Sequence, residues 1–510
     1  QRIPRFLCSS FVLSGLNFLN GAGVTVQLSK AGLLRWSGKR KNGTLMIPGD
    51  LIGFKEQQED ASSIILHTFC HYSSSSSMSQ KLCGPRRGGG RRNRIRKDML
   101  IKFANPASHK LFCDNIQEFL DACGRPKKLL VIVNPFGGDG VGRRVYTKTV
   151  EPLLQAAGIT IIMKETQFQQ HAKELAKSFN LSGIDGIVCV SGDGVLVEVL
   201  NGLLERLDWE SAIKVPLGIV PAGTGNGMAK SVLNLSGEPC DAATATFAII
   251  QGHKQALDVA MVAQGKVKYH SILMLSWGLV ADVDFESERY RWMGRLRLDI
   301  QTIIRIVNLR RYNGSFAYIP STGLEGTGDK NCEPDMCSML QGAETDNDPS
   351  VLKSGHSEPQ ALAASEWQPV DGTFLSLMLS NVPFAGENVM SAPLAKFSDG
   401  CLDLVIMKEC PRWKLFQLLL KVRSGEHIKS KYVQYFKVKA FQLTPAGRFA
   451  SNTQGGYIDL DGEVLARGRG AFGDGSKDPM VYGPTIEVSI KRGLATIFRP
   501  PRPHSDSSFS

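Results

Sequence analysis

The chain has 510 residues, 42% of them hydrophobic and 21% charged, so it is long and apolar enough for several domains and is not globally disordered. No uncharged apolar run reaches the roughly 18–20 residues of a membrane-spanning helix, so we expect no integral membrane protein. The formal net charge is +12, but seven of the cations lie between residues 86 and 97, which leaves +5 for the remainder. Eleven scattered cysteines without zinc-ligand spacing indicate the reduced thiols of a cytosolic protein.

Residues 1–125 predict a β-rich amino-terminal module. Short runs that alternate apolar and polar residues, VTVQL, TLMI and SSIILHTF, are separated by turn residues. The module ends in an amphipathic helix with Phe112 and Ile116 at helical spacing. Ser73–Ser77 and the Gly/Arg run at 84–97 predict a flexible surface loop. This basic run is either solvated or in contact with anionic lipid headgroups, and without interleaved aromatic residues it is not expected to bind nucleic acid.

Two further domains follow. Residues 126–255 alternate apolar strands with amphipathic helices, which predicts a mostly parallel sheet covered on both faces. Residues 256–495 are mainly β, with two helical interruptions, and predict a second, antiparallel domain. Within it, residues 321–370 lack periodicity and predict a disordered acidic insertion, and residues 496–510 predict a disordered tail. The predicted fold class is therefore α/β plus β, preceded by a β-rich module.

Three glycine-rich segments each follow a buried strand and lead into a helix: residues 134–140 (NPFGGDG), 191–194 (SGDG) and 223–227 (GTGNG). The loops that follow parallel strands emerge at the same edge of the sheet, where ligands collect. Glycines there let backbone N–H groups approach phosphate oxygens, and helix N-termini favour negative charge. One such loop is often only a tight turn, but three in consecutive units predict a phosphate-binding edge.

The common phosphate-transfer motifs are absent. A P-loop is excluded because Arg143 and Arg144 stand after Gly142, where Lys and Ser or Thr would be needed. The first loop also fails the dinucleotide pattern, and no protein-kinase motif set occurs. What remains is Asp193, a carboxylate on a glycine turn, which suits an acceptor for the proton of a hydroxyl that receives a phosphoryl group. The alternative is that Asp193 only caps the helix that starts at Gly194.

Taken together, NPFGGDG, then SGDG followed by VLVEVLNGLLE, then PAGTGN resemble the catalytic domain of the diacylglycerol-kinase-type lipid kinases. Within that superfamily, the stretch SWGLVADVDFESERYRWMGRLR at 276–297 resembles the sphingosine kinases, or long-chain-base kinases. The resemblance covers about residues 125–320 and 370–490. It implies a nucleotide-binding α/β domain, a β-sandwich lipid domain, and ATP with Mg²⁺ in the cleft between them.

The resemblance also implies roles for single residues. Asp193 corresponds to the catalytic base and, with Gly192, contacts the lipid hydroxyl. The implied nucleotide-binding residues are Asn134, Pro135, Phe136, Gly137, Gly138, Gly140, Thr166, Ser191, Gly192, Gly194, Glu198, Gly223, Thr224, Gly225, Asn226, Arg291, Arg297, Asp461, Gly462 and Glu463. Phe136 stands where many relatives carry Arg or Lys, and Arg143 and Arg144 are the nearest substitutes for that cation. The metal ligands remain unassigned.

The lipid-specific signal is Asp284. Sphingosine carries an ammonium group near its reactive hydroxyl, which a buried carboxylate would pair with, whereas ceramide and diacylglycerol carry none. Asp282 is a close competitor, and helix capping is the alternative for Asp284. We therefore expect transfer of the γ-phosphoryl of ATP to the primary hydroxyl of a sphingoid base.

The nearest alternative is ceramide or diacylglycerol kinase activity, and NAD kinase activity is a more distant one. An alternative outside the enzymes is a membrane adaptor with a degenerate kinase domain. Because the substrate is an amphiphile, we expect peripheral association with a membrane from the cytosolic side. The sequence leaves open whether the chain forms a homodimer.

Overall fold

The computed structural model of the chain describes residues 11–12, 17–19, 22–29, 31–39, 42–57, 60, 62–71, 94–138, 140–294, 296–321, 366–449, 454–468 and 478–501. The Ser73–Ser77 run, residues 84–93 of the basic run, residues 322–365 of the predicted insertion and residues 502–510 of the predicted tail lie outside these ranges. Within the described ranges, no helix combines the length and apolar character needed to cross a membrane.

An antiparallel sheet and one long helix form the amino-terminal module, as predicted. The strand order is β5-β4-β3-β2-β8-β7-β6, with β1 paired to β3. Its elements are β1 (Phe11–Val12), β2 (Asn17–Leu19), β3 (Ala22–Leu28), β4 (Leu33–Ser37), β5 (Gly43–Met46), α1 (Ile47–Asp50), β6 (Leu51–Glu56), β7 (Ser63–His71), β8 (Arg94–Lys102) and α2 (Pro106–Ala122). Asn105 begins α2, since its side chain accepts a hydrogen bond from the Ser108 N–H at 2.8 Å. Phe112 and Ile116 on the apolar face of α2 are fully buried against the strands.

The predicted surface loop at 84–97 is wrong at its carboxyl end. Residues 94–97 belong to β8 and pair in antiparallel register with β7, from Arg94 opposite His71 to Lys97 opposite Thr68. Cations can occupy a strand when alternate side chains point to solvent. The exception is Arg94, whose side chain is buried in an ion pair with Glu238 of the next domain. The end of the basic run therefore joins two domains.

The α/β domain has the predicted parallel sheet, in the order β10-β9-β11-β12. The register pairs Val133 at the end of β9 with Glu165 of β10 and with Val190 of β11, so all three strands end at one edge. Its elements are β9 (Lys128–Val133), α3 (Gly142–Val145), a π-helical turn (Tyr146–Val150), α4 (Glu151–Ala156), β10 (Thr160–Glu165), α5 (His171–Ser178), β11 (Gly186–Ser191), α6 (Asp193–Leu204), α7 (Trp209–Ala212), β12 (Leu217–Pro221), α8 (Gly227–Asn234) and α9 (Ala242–Ile250).

The second domain is antiparallel, as predicted. Its central strand order is β22-β19-β16-β17-β15-β20-β21, with β18 paired to β17 and β19, and β13 paired to β14 and β22. Its elements are β13 (Lys254–Gln264), β14 (Val267–Ser271), β15 (Met274–Gly278), α10 (Leu279–Ser287), a 3₁₀ segment (Glu288–Met293), α11 (Leu296–Val307), β16 (Tyr312–Pro320), β17 (Gln368–Ser380), β18 (Leu402–Lys408), α12 (Arg412–Lys421), 3₁₀ turns (Val422–Ser424 and Glu426–Lys429), β19 (Val433–Arg448), β20 (Tyr457–Leu460), β21 (Glu463–Arg467) and β22 (Ile486–Phe498).

The last strand joins the two domains into one continuous sheet. β22 pairs with β13 in antiparallel register and touches β12 in parallel at Leu217 and Ile497. It ends at the buried Phe498, three residues into the segment predicted as a tail. One apolar core runs through both domains, so the carboxyl edge of the parallel sheet is held in a fixed position against the second domain.

Candidate active site

The first glycine-rich loop is a tight turn held by Asn134. This residue follows β9, and its Oδ1 accepts hydrogen bonds from the N–H groups of Phe136 at 2.9 Å and Gly137 at 3.1 Å. Gly138 and Gly140 have φ values of 58° and 69°, which residues other than glycine rarely adopt. The glycines of this turn therefore leave the backbone uncovered, and among its described side chains the ring of Phe136 is 67% exposed.

The second and third loops lie directly against each other. A Cβ atom at Gly223 would stand 2.3 Å from the Cα of Gly192, so only glycine allows this approach. Asn226, with φ of 55°, closes the third loop: its Oδ1 accepts from the Gly223 N–H at 3.0 Å and its Nδ2 donates to the Gly223 carbonyl at 2.9 Å. The loops predicted to bind phosphate are thus neighbours at one edge of the sheet.

Asp193 links these two loops. Its carboxylate accepts hydrogen bonds from the N–H groups of Gly227 at 2.8 Å and Met228 at 2.9 Å, at the start of α8. Burial raises the pKa of Asp193, and the backbone N–H groups lower it by less. The simple capping alternative is wrong, because α6 begins at Asp193 itself and receives no side-chain cap. The carboxylate instead reaches across to the helix after the third loop.

Three further predicted nucleotide residues hold the backbone of the loops. Glu198 accepts hydrogen bonds from the N–H groups of Gln170 at 3.1 Å and Ala172 at 3.2 Å, which caps α5, and burial raises its pKa. Thr166 is buried just after β10, and its N–H donates to the Val133 carbonyl at 2.9 Å. The Ser191 hydroxyl donates to the Gly192 carbonyl at 2.9 Å. These contacts position the loops.

The second domain contributes the β20–β21 hairpin to the opposite side of the cleft. Asp461 at its turn, with φ of 54°, accepts four hydrogen bonds at 2.8–3.2 Å from the backbone and hydroxyl of residues 271–274. Burial raises the pKa of Asp461 to about 6. Glu463 faces the first domain: its Oε2 lies 3.4 Å from Gln169 Nε2, and its Oε1 would be 3.9 Å from a Cβ at Gly194. Of this pair of acids, Glu463 is the one that reaches the helix of Asp193.

The two competing acids on α10 have different environments. Asp282 is fully buried and accepts hydrogen bonds from the Tyr312 hydroxyl and, at 3.0 Å, from Arg310. Asp284 is half-buried, and among the side chains that the structure describes none donates a hydrogen bond to its carboxylate. Burial raises the pKa of Asp284 to about 6, although the charge of Arg297 opposes that shift. Asp282 is therefore held in a buried network of the fold, whereas Asp284 stays the candidate for a ligand contact.

The predicted cations are distributed unevenly. Arg297 is buried on α11 and forms an ion pair with Glu288. Arg291 lies in the 3₁₀ segment, but its side chain is outside the described residues. Arg143, expected to replace a cation at Phe136, forms a bidentate pair with Glu165 at 2.7 and 2.5 Å.

Two features of the site were missed in the sequence. The N–H groups of Gly227 and Met228 bind Asp193 from 34 and 35 residues away, and no local pattern indicates such a contact. Asp459, a buried acid on β20, was also missed. Its signal is the alternation in YIDLDGE, where Asp459 stands between two apolar residues, two positions before Asp461.

Similarity to known proteins agrees with this arrangement. The family model described as diacylglycerol kinase catalytic domain matches residues 128–262, and the one described as YegS C-terminal NAD kinase beta sandwich-like domain matches residues 366–470. Sphingosine kinase 2 of Arabidopsis thaliana is 42% identical over 499 residues, 97% of this chain and 99% of that protein. Sphingosine kinase 1 of the same plant is 47% identical over 405 residues, 79% of this chain and 82% of that protein. Ceramide kinase of Homo sapiens is 30% identical over 353 residues, 66% of this chain and 65% of that protein. The chain belongs to the sphingosine kinase family of lipid kinases.

Proposed function

We propose that the protein transfers the γ-phosphoryl group of ATP to the primary hydroxyl of a sphingoid base, with Asp193 as the base that accepts the hydroxyl proton. The observation that carries this proposal is the position of the Asp193 carboxylate between two glycine-rich loops, which are themselves in contact. Phosphoryl transfer needs positioning and charge stabilisation more than covalent catalysis. The Asp193 carboxylate is partly buried, and because its pKa is raised it holds a proton more readily than an exposed carboxylate, which suits a general base.

The loops and the hairpin supply complementary parts of a nucleotide site. In the first loop the N–H groups of Phe136, Gly137 and Gly140 serve the turn itself, and the N–H of Gly138 is the described one that a phosphate oxygen can approach, because glycine leaves it uncovered. Hard oxygen donors suit Mg²⁺, which binds through one or two carboxylates and substrate phosphates, and Glu463 is the carboxylate that faces Gly194. Mg²⁺ would neutralise charge on the phosphates. Asp461 keeps the hairpin in place, since its oxygens are occupied by residues 271–274.

Asp284 supports an amine-bearing acceptor. A half-buried carboxylate without a hydrogen-bond donor among the described residues gains a partner when an ammonium group binds, and this compensates its desolvation. Ceramide and diacylglycerol offer no such cation. A sphingoid base is therefore the phosphoryl acceptor that this site favours over ceramide and diacylglycerol.

Asp193→Asn tests the proposal. We expect turnover of sphingosine to fall by about 10²–10⁴-fold, the usual contribution of a general base, while the Kd for ATP changes by a few-fold. The substitution also places an amide N–H₂ against a backbone N–H of α8, so a matched control is needed. Asp241→Asn provides it, because Asp241 caps α9 through the Thr244 N–H at 2.9 Å, outside the cleft loops. Wild-type turnover in Asp193→Asn, or equal loss in both variants, would contradict the role of Asp193.

We also propose that the protein docks on a membrane through α11 and α12. These helices pack against each other and, with Trp292 of the preceding 3₁₀ segment, leave seven large apolar side chains at least 48% exposed: Trp292, Leu296, Ile303, Val307, Trp413, Phe416 and Leu420. On α12, Trp413, Phe416 and Leu420 recur every three or four residues and so form one stripe. Lys414 lies 4.2 Å from the Trp413 ring. Apolar side chains flanked by cations suit an anionic lipid surface.

Vesicle binding tests this surface. The double variant Phe416→Glu/Leu420→Glu should lose at least about tenfold in affinity for phosphatidylcholine vesicles that contain phosphatidylserine, since each buried apolar side chain contributes about 1.5–3 kcal/mol. Leu207→Glu is the matched control, because Leu207 is fully exposed on a separate turn. The thermal stability of all variants should agree. Equal vesicle binding by the double variant and the control would rule the surface out.

A further inference from the structure

Asp459 is a buried acid that the proposed reaction does not use. It lies on β20, is 5% exposed, and stands directly opposite Ser276 of β15. The Ser276 hydroxyl, 3.4 Å from Asp459 Oδ2, is the one hydrogen-bond partner of its carboxyl group within the described ranges. A contact of that length is weak, and burying a polar group without good partners is costly. The pair is therefore incompletely satisfied.

Asp459 lies beneath the helix that carries Asp284. β15 runs through Gly278 straight into α10, and α10 packs over β20, where the Phe285 and Tyr457 ring centres are 4.4 Å apart. Burial, together with the charges of Asp284 and Asp461, raises the pKa of Asp459 well above its usual range. The two acids are thus close enough to influence each other.

The hairpin also orders the acids along the cleft. Glu463 faces the amino end of α6, where Asp193 lies, and pairs across the hairpin with Leu460, so Asp459 is one residue further from the turn, about 3.4 Å along the strand. A sphingoid base that presents its primary hydroxyl to Asp193 has its ammonium on the next carbon and further hydroxyl groups on the carbons beyond. Tyr457 and Asp459 lie on the same face of β20, and Tyr457 packs against Phe285, so Asp459 faces the helix that carries Asp284.

We propose that Asp459, together with Ser276, binds a chain hydroxyl of the sphingoid base beyond the ammonium and so selects hydroxylated bases. The inference rests on the proposed function. The sphingoid base brings one ammonium, and its proposed partner is Asp284, the half-buried acid to which no described side chain donates a hydrogen bond. If Asp284 and Asp459 were both ionised, one ammonium would leave a buried negative charge uncompensated. A protonated Asp459 avoids this, and its carboxyl group can both donate a hydrogen bond to a hydroxyl and accept one from it.

The test compares two substitutions on three substrates. Asp459→Asn keeps a neutral group that donates and accepts, and Asp459→Leu keeps the size and removes both. The substrates are phytosphingosine, sphinganine, which lacks the C4 hydroxyl, and the 3-deoxy analogue of sphinganine, which also lacks the C3 hydroxyl. With Asp459→Leu we expect the preference in kcat/KM for one hydroxylated base over its deoxy counterpart to fall about tenfold, and with Asp459→Asn to be kept within about threefold. KM for ATP should stay constant.

The outcomes are distinguishable. A uniform fall on all three substrates, or no change, in a folded Asp459→Leu variant would show a merely structural role and overturn the inference alone. Lack of turnover on every base by the wild-type chain would overturn the proposed function, and this inference with it.

Discussion

A buried ion pair fixes the amino-terminal module to the catalytic domain, and removing its acidic half should destabilise the protein measurably. The side chains of Arg94 and Glu238 are 5% and 7% exposed, with Nη2 and Oε1 2.9 Å apart. Arg94 also donates to the carbonyl groups of Gly49 and Phe69, both at 2.9 Å, and lies 5.1 Å from the Phe247 ring centre. Glu238→Ala would leave this cation buried with Asp50, whose Oδ1 is 3.8 Å from Arg94 Nη1, as the carboxylate that remains beside it.

The structure gives the size of the effect in two ways. Breaking a buried pair by removing one partner costs about 3–5 kcal/mol. Burial raises the pKa of Glu238, but hydrogen bonds from His71 and Arg94 outweigh it and lower that pKa from 4.5 to about 2. This lowering of the pKa corresponds to a contribution of about 3 kcal/mol to the free energy of unfolding, or about 2–3 kcal/mol after allowance for solvent screening. We expect Glu238→Ala to lose about 3 kcal/mol and Glu238→Gln, which keeps a neutral acceptor, about half of that.

Calorimetry and hydrogen exchange measure the loss. A change of about 3 kcal/mol should lower Tm by roughly 6 °C, with faster exchange in β7 and β8. Because the pKa is lowered on folding, the stabilisation is complete above pH 4.5 and disappears as the pH falls towards 2, so the gap between wild type and Glu238→Ala should shrink below about pH 4. Glu205→Gln, in an exposed pair with Lys177, should cost under about 1 kcal/mol. Indistinguishable Tm values for Glu238→Ala and Glu205→Gln would refute this reasoning.

Three further predictions concern the cleft. Asp284→Asn should raise KM for sphingosine far more than KM for ATP. Asp282→Asn should instead lower Tm, because Arg310 and Tyr312 lose their buried partner. Steady-state kinetics and thermal melts of both variants separate the two roles, and the reverse pattern would contradict the assignment. Since the pKa of Asp284 is about 6, KM for sphingosine should rise in the wild type as the pH falls below 6 and stay flat in Asp284→Asn, as a pH profile would reveal. Gly223→Ala, whose Cβ would be 2.3 Å from Gly192 Cα, should weaken nucleotide binding in a fluorescent-ATP titration by tenfold or more, while Gly49→Ala, with 3.7 Å to its nearest atom, should not.

Periodicity and turn chemistry were enough to predict the two cleft domains. Continuous apolar runs such as KLLVIV became parallel strands, and glycines at their carboxyl ends became the loops, because these signals are local. The alternation in β8 was overlooked because seven cations obscured it. A cation in a strand is predicted to lie at the surface unless its acidic partner is known. The partner of Arg94 could not be predicted, because Glu238 is 144 residues away in the sequence.

The roles of the acids were harder to predict than their positions. Asp193, Glu198 and Asp461 all accept hydrogen bonds from backbone N–H groups of distant segments, and these contacts exist only after the chain has folded. Asp282 and Asp284 are two residues apart on one helix, so composition could not separate them. Tyr312 and Arg310, from β16 and the turn before it, decide which of the two is buried in a network.

The hydrogen bonds to Asp193 have a consequence for its chemistry. Each carboxylate oxygen accepts one N–H at 2.8 or 2.9 Å, and since an ionised carboxylate has about four lone-pair positions, each oxygen retains capacity for a second donor. The two N–H groups fix the orientation of the carboxylate and stabilise its charge, which lowers its pKa. Burial has the opposite and larger effect, so the pKa of Asp193 is raised. The same contacts tie the second loop to α8 after the third. The proposed base is therefore oriented by the loops that it holds together, so the proposed proton acceptor and the loops predicted to bind phosphate form a single unit.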